Sequence, residues 1–231
     1  MRTAVLADVA PATPRTRLLR LALTGGPFTC RAGQAVFAGL SGADTRAPYS
    51  IASPPALARS GALELLVPAD GSFGQEGLDP ATVVGATLDI DGPLGRFGVP
   101  DEAADAPLLL VAGGTGISPL RSVILDRLGT AGRPAATLVY SVRTPDEFAF
   151  ADEFRALAAD GRLSLHTTVT RDEVTAGGPT RMGRVGAALL RAVLPGPDAV
   201  CLVCGPSGFV RTVTATLADL GVPPGRIVVE R

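Results

Sequence analysis

The 231-residue chain contains no lysine, no asparagine and no tryptophan, and only one histidine. All 21 of its basic residues are arginine, set against 22 acidic ones for a net charge of −1. A surface so balanced carries no electrostatic footprint for nucleic acid or an acidic membrane. Cysteine is scarce too. Cys30, Cys201 and Cys204 are too few for a disulfide framework, and they cannot supply the four thiolates of an iron–sulfur cluster. The spacing Cys201-x-x-Cys204 suits zinc or redox chemistry, yet it lies inside the apolar run VCLVCG. There strand alternation points the two sulfurs to different sides, and no second pair exists. The lone His166, in LSLHTTV, reads as a structural strand residue. No apolar run reaches the length of a membrane span and no signal pattern opens the sequence, so the expected location is cytoplasmic.

What is present is an ordinary globular composition, 46% hydrophobic and 19% charged, at a length between one domain and two. The organising stretch is Leu108 to Leu120, LLLVAGGTGISPL. Five apolar residues running into a glycine cluster predict a strand buried on both faces, as in a parallel sheet. Glycines let the backbone turn sharply and approach a ligand, and the next helix favours an anion at its start. The stretch is therefore a candidate phosphate or pyrophosphate cradle. It is neither an NTPase P-loop, for no Lys-Ser or Lys-Thr follows, nor the G-x-G-x-x-G fingerprint.

The two halves differ in rhythm. Residues 1 to about 100 predict an antiparallel β-barrel or sandwich, with strands at Arg17–Leu23, Ala35–Leu40, Ala62–Val67 and Thr87–Ile90. Asp101 to Pro107 reads as a linker, which places the expected domains at 1–102 and 103–231. Beyond it, strands at Leu108–Ala112, Ala136–Ser141, Leu163–Thr168 and Ala199–Cys204 alternate with helices at Pro119–Leu128, Phe148–Ala159, Val185–Val193 and Gly208–Leu220. A last strand fits Arg226–Val229. This alternation predicts a doubly wound α/β parallel sheet, whose ligand lies at the carboxyl ends of the strands, where Gly113 and Cys204 fall.

Four stretches carry chemistry: RAPYSIAS (Arg46 to Ser53), GPLGRF (Gly92 to Phe97), GGTGISP (Gly113 to Pro119) and VCGPSG (Val203 to Gly208). Arginine can pair with phosphate, tyrosine can stack on a flat ring, and serine can hydrogen-bond a ring nitrogen. Asp70-Gly71-Ser72-Phe73-Gly74 is a further turn able to offer backbone N–H groups. In this order and spacing, the stretches resemble the ferredoxin–NADP reductase family of flavoenzymes, which join a flavin-binding β-barrel to a nicotinamide-nucleotide domain. The resemblance spans nearly the whole chain.

The resemblance implies that Tyr49 stacks on the isoalloxazine, that Ser50 hydrogen-bonds near flavin N5, and that Arg46 pairs with the flavin phosphate. Pro48 and Val67 are counted with the cofactor-binding residues. Gly71, Ser72 and Phe73 would hold the pyrophosphate of FAD, a group FMN lacks. Gly113, Gly114, Thr115, Gly116 and Pro119 would take the NAD(P) pyrophosphate. Cys204, Gly205 and Pro206 would border the nicotinamide, with Glu230 nearby; Ser50, Cys204 and Glu230 are the catalytic candidates. Arg46 stands three residues before Tyr49 where the family has Arg-x-Tyr-Ser, so Arg31 or Arg96 could take its role. Glu230-Arg231 brings no terminal aromatic residue to displace. No metal ligand set is implied.

The loop after the second parallel strand, Ser141 to Asp146, is expected to meet the adenine ribose. Arg143 and Ser141, with Arg171, lean towards NADPH, while Asp146 keeps NADH open. The implied activity is an FAD-dependent NAD(P)H oxidoreductase that passes electrons to a separate ferredoxin, iron–sulfur or haem partner. A flavin reductase using free flavin and a non-catalytic nucleotide-binding subunit remain the alternatives.

Overall fold

The computed structural model describes residues 1–43, 46–69, 84–131, 136–171 and 180–230. By internal contacts the chain divides into two units, Met1–Gly98 with Arg121–Asp126, and Val99–Leu120 with Arg127–Arg231.

The first unit is antiparallel. Its strands are β1 (Arg2–Thr13), β2 (Thr16–Leu23), β3 (Ala35–Leu40), β4 (Ala47–Ser50), β5 (Ala62–Pro68) and β6 (Thr87–Leu94), with a short helix α1 (Pro55–Arg59). They order as β4-β3-β6-β1-β2-β5, and a bridge from Ile51 to Leu65 ties the two edges. Inward residues such as Leu6, Leu19, Leu21, Val36, Ile51, Leu63, Leu65 and Ile90 form its core. Strand β1 has no counterpart among the sequence expectations. Its run RTAVLADVAPAT mixes alanine, aspartate and proline, poor strand formers, and its pairing with β2 is interrupted between Leu6 and Asp8 and between Pro11 and Thr13.

The second unit is a parallel sheet of β7 (Leu108–Gly113), β8 (Ala136–Val142), β9 (Leu163–Val169), β10 (Thr180–Met182), β11 (Val200–Cys204) and β12 (Ile227–Val229). Helices α2 (Ile117–Leu128), α3 (Ala151–Ala159), α4 (Ala187–Val193) and α5 (Ser207–Asp219) connect them. The order β10-β9-β8-β7-β11-β12 runs outward from β7 in one direction, then returns to its other side. The reversal puts the topological switch point at the carboxyl end of β7, between β8 and β11. Every residue of β7, β8 and β11 is buried, as a strand covered on both faces requires.

Two expectations in this unit need correcting. Helix α3 begins at Ala151 and not at Phe148. Phe148 is extended, and the Tyr140 hydroxyl accepts the Ala149 N–H at 3.2 Å, holding that backbone outside the helix. Phe150, at φ 59°, makes the left-handed turn into it. Strand β10, three residues on the sheet edge, was too short to show a period.

Candidate functional site

At the switch point, Gly113 ends β7 and Gly114–Gly116 form a single 3-10 turn that feeds directly into α2. Gly114 has φ +56°, and a Cβ there would meet nothing within 4 Å, so the turn opens outward. Thr115 is exposed beside it. Gly116 is the opposite case. A Cβ there would overlap the Cys204 carbonyl, so only glycine lets the start of α2 pass against the end of β11. Gly113 lies as tightly on the Phe209 ring, where an added Cβ would sit 2.9 Å from Cδ1. The result is a rigid floor with an open mouth, made of backbone N–H groups at the start of a 12-residue helix. That is the donor set a pyrophosphate needs, and it fits the nucleotide. Pro119 is buried in the first turn of α2.

Cys204 ends β11 in register with Ala112, one residue before the glycine turn. Its thiol donates to Glu230 Oε2 at 2.6 Å, and the Glu230 N–H donates to the Val203 carbonyl at 3.3 Å. Burial pushes the Cys204 thiol well above its ordinary value of 9.0, with the Glu230 charge and their hydrogen bond adding to it. Cys204 is therefore a neutral donor, not a thiolate. Cys201, three positions back, faces the apolar core and is fully buried. Gly205 packs on Gly113 and Phe209, and Pro206 caps α5 from an extended conformation. The chain thus brings Gly113, Gly116, Cys204, Gly205 and Glu230 together.

The loop after β8 is pinned at several points. The Glu147 carboxylate accepts the Arg143 N–H at 3.2 Å, and the Arg143 carbonyl accepts the Arg171 N–H at 2.9 Å. Both guanidinium groups are exposed. Ser141 is buried, in register with Gly113.

In the first unit, Pro48, Tyr49 and Ser50 lie on the edge strand β4, with Pro48 exposed and Tyr49 and Ser50 half-buried. Half-buried Tyr49 packs against the core from this edge strand, and an aromatic ring can stack on a planar partner. This fits an isoalloxazine. Arg46 is exposed and directs Nη1 at the Met1 sulfur, 3.1 Å away. Arg31 and Arg96 are exposed as well. Val67 is wholly buried in the core of the sheet, so its side chain serves packing. Gly71, Ser72, Phe73 and Arg231 lie outside the described residues.

Sequence reasoning passed over three residues. Phe209 was hidden as one more apolar residue of a helix, although it follows CGPSG directly. Glu147 was overshadowed by its neighbour Asp146. Arg121 gave no signal, because an arginine on a helix ordinarily faces solvent.

Residues 110–215, which carry this cradle, match the profile of the oxidoreductase NAD-binding domain. Over its whole length the chain is similar to ferredoxin–NADP reductase B of Sorangium cellulosum, at 32% identity covering 98% of this chain and 95% of that protein. It is 29% identical to oxidoreductase NAD-binding domain-containing protein 1 of Danio rerio, covering 99% of this chain and 91% of that one. Among solved structures, the Amycolatopsis cytochrome P450 reductase superposes with a TM-score of 0.85 at 26% identity, over 100% of this chain and 69% of its own. The match to the Sorangium protein takes in both the antiparallel unit and the parallel sheet, since it covers nearly all of each chain. The chain belongs to the ferredoxin–NADP reductase family of NAD(P)H-dependent flavoprotein oxidoreductases.

Proposed function

We propose that the protein holds FAD on β4 and takes electrons from NADPH bound at the β7 turn, to pass them singly to a separate ferredoxin, iron–sulfur or haem protein. The observation that carries this reading is the Cys204–Glu230 hydrogen bond on a cysteine whose backbone carbonyl packs against Gly116. Neither the hydrogen bond nor the buried carboxyl-end cysteine is needed to build the sheet, and both border the cradle. FAD held on β4 would supply the chemistry, two-electron uptake as hydride and one-electron release.

The chain's own residues bind, orient and exclude water. Backbone N–H groups of Gly114 to Gly116 hold the nucleotide pyrophosphate. Cys204, kept protonated with its S–H given to Glu230, presents a neutral sulfur at the nicotinamide end, and Glu230 fixes its orientation. No general base is required, since proximity and orientation are what the protein contributes. Tyr49 covers one face of the flavin ring, and Ser50 donates to its edge. The exposed guanidinium groups of Arg143 and Arg171, joined through their backbones, favour a 2′-phosphate, and so NADPH over NADH. The names of the Sorangium and Amycolatopsis relatives, a ferredoxin reductase and a cytochrome P450 reductase, support a protein acceptor.

The test is the visible spectrum of the purified protein under anaerobic NADPH and, separately, NADH. The expected result is stoichiometric FAD that bleaches faster with NADPH. Flavin that bleaches equally with both donors would remove the role given to Arg143 and Arg171. Flavin that neither donor bleaches would overturn the oxidoreductase reading, and flavin lost on gel filtration would make it substrate.

A further inference from the structure

Arg121 is a buried arginine with 8% of its surface exposed, and residues Arg121–Asp126 of α2 count with the first unit. Its Nη1 donates to the Ala52 carbonyl at 3.0 Å and to Glu64 Oε2 at 2.7 Å. Glu64, on β5, is buried as well, and its other oxygen accepts from Arg20 Nε at 3.0 Å. The next residue of α2, Ser122, donates its hydroxyl to the Ser53 carbonyl at 2.7 Å, and the Ser53 hydroxyl accepts the Glu64 N–H at 3.1 Å.

These bonds converge on one short piece of chain. Strand β4 is four residues long and ends at Ser50, and the chain between it and α1 is irregular. Yet the Ile51 N–H donates to Gln34, the Ala52 N–H to Glu64, and the Ala52 and Ser53 carbonyls are taken by Arg121 and Ser122. A bare edge strand of this length would have little to fix its register or tilt. A buried ion pair is weak evidence for stability, because well-packed apolar residues commonly do as well. What it fixes is geometry: one buried cationic nitrogen, Nη1 of Arg121, holds the Glu64 carboxylate and the Ala52 carbonyl together.

We infer that Arg121, backed by Glu64 and Ser122, is a positioning residue for the flavin: it anchors Ala52 and Ser53 and thereby sets the attitude of Tyr49 and Ser50. This rests on the reading of Tyr49 and Ser50 as the flavin-contacting pair. Arg121 need touch neither flavin nor nucleotide. Its influence is carried by two residues of main chain.

The test replaces the ion pair by apolar residues, Arg121→Met with Glu64→Leu, and compares it with Arg121→Lys. Lysine keeps one cationic nitrogen, and the bonds of Arg121 to Ala52 and Glu64 leave from a single nitrogen. The measurements are FAD titration of the apoprotein, the absorption and fluorescence of bound FAD, and reduction at saturating NADPH. The double variant should fold, bind FAD at least about five-fold more weakly, with an altered flavin band and slower reduction, and keep its NADPH KM within about two-fold. Arg121→Lys should recover most of the loss. Parental FAD affinity and spectrum in the double variant would overturn the inference, and so would an Arg121→Lys protein no better than it. Should the double variant fail to fold, Ser122→Ala decides, with a smaller loss in the same direction expected and no change overturning it. Tyr49→Ala separates the two layers. If that variant leaves the flavin spectrum untouched, the reading of β4 itself fails, whatever Arg121 does.

Discussion

Burial, reinforced by Glu230, sets the character of Cys204. A cysteine at a strand end facing a glycine turn could serve as a thiolate nucleophile, a metal ligand or a donor, and these roles need different protonation states. Burial beside Glu230 leaves only the protonated one. Cys204→Ala should therefore slow flavin reduction by NADPH by about ten-fold or more while leaving the oxidised flavin spectrum unchanged. Stopped-flow measurements check it, and loss of flavin from the variant would place the residue in the wrong role. The parent's reduction rate should show no limb from Cys204 between neutral pH and 9.0, since the thiol titrates above that value. The other thiols act on stability. Burial raises Cys30 from 9.0 to about 11 and Cys201 from 9.0 to about 12. A group whose folded value is raised stabilises fully below its unfolded value and loses that contribution as pH climbs towards the folded one. The fold should accordingly weaken above pH 9, not on acidification through these groups.

At the scale of elements, the turn between β7 and α2 combines two glycines with different reasons to be glycine. Gly116→Ala forces a Cβ into the Cys204 carbonyl, an overpacking that costs about 1–3 kcal/mol and shifts Cys204 itself. Gly114→Ala meets open space and bears only the strain of φ +56°, about 1–2 kcal/mol. Thermal melts should show similar modest losses. Kinetics should separate them: Gly116→Ala lowers the rate at saturating NADPH, whereas Gly114→Ala mainly raises KM. Equal effects on both parameters would deny that the turn and Cys204 form one unit. Much of this element was legible in the sequence, because LLLVAGGTG joins a strand signal to a turn signal without a gap. The central strands of the parallel sheet were read within a residue or two for the same reason: covered on both faces, they are predominantly apolar along their length. Strand β1 was not legible, since only Ala4 and Leu6 are buried, alanine, aspartate and proline fill much of the rest, and its bulges break the period. The clasp of Arg121 on Ala52 and Glu64 was illegible in principle. It joins positions 69 and 57 residues apart, and no local pattern announces a buried arginine.

For the whole molecule, helix α2 matters most, because its residues count with both units. A cut at the linker, giving residues 1–102, separates the barrel from Arg121–Asp126. Val123 and Ile124, 2% and 1% exposed, leave with them. Glu64 keeps Arg20, but that side chain is 61% exposed, and a partner so wet offsets little of the cost of a buried carboxylate. Losing one partner of a buried pair costs about 3–5 kcal/mol, against the ~5–15 kcal/mol that holds a typical domain. The fragment 1–102 should therefore fail to fold cooperatively or to retain FAD, although it contains all six described strands of the antiparallel sheet. Denaturant melts followed by circular dichroism would show it as a broad, weak transition. Placing Glu64→Leu in the fragment removes the stranded charge and should sharpen the transition, while adding the separate piece 103–231 should restore flavin binding to the unsubstituted fragment. A fragment that melts as sharply as the parent would mean that the strands alone define the barrel. A fragment rescued by the second piece but indifferent to Glu64→Leu would mean that the apolar face of α2, and not its arginine, completes the unit.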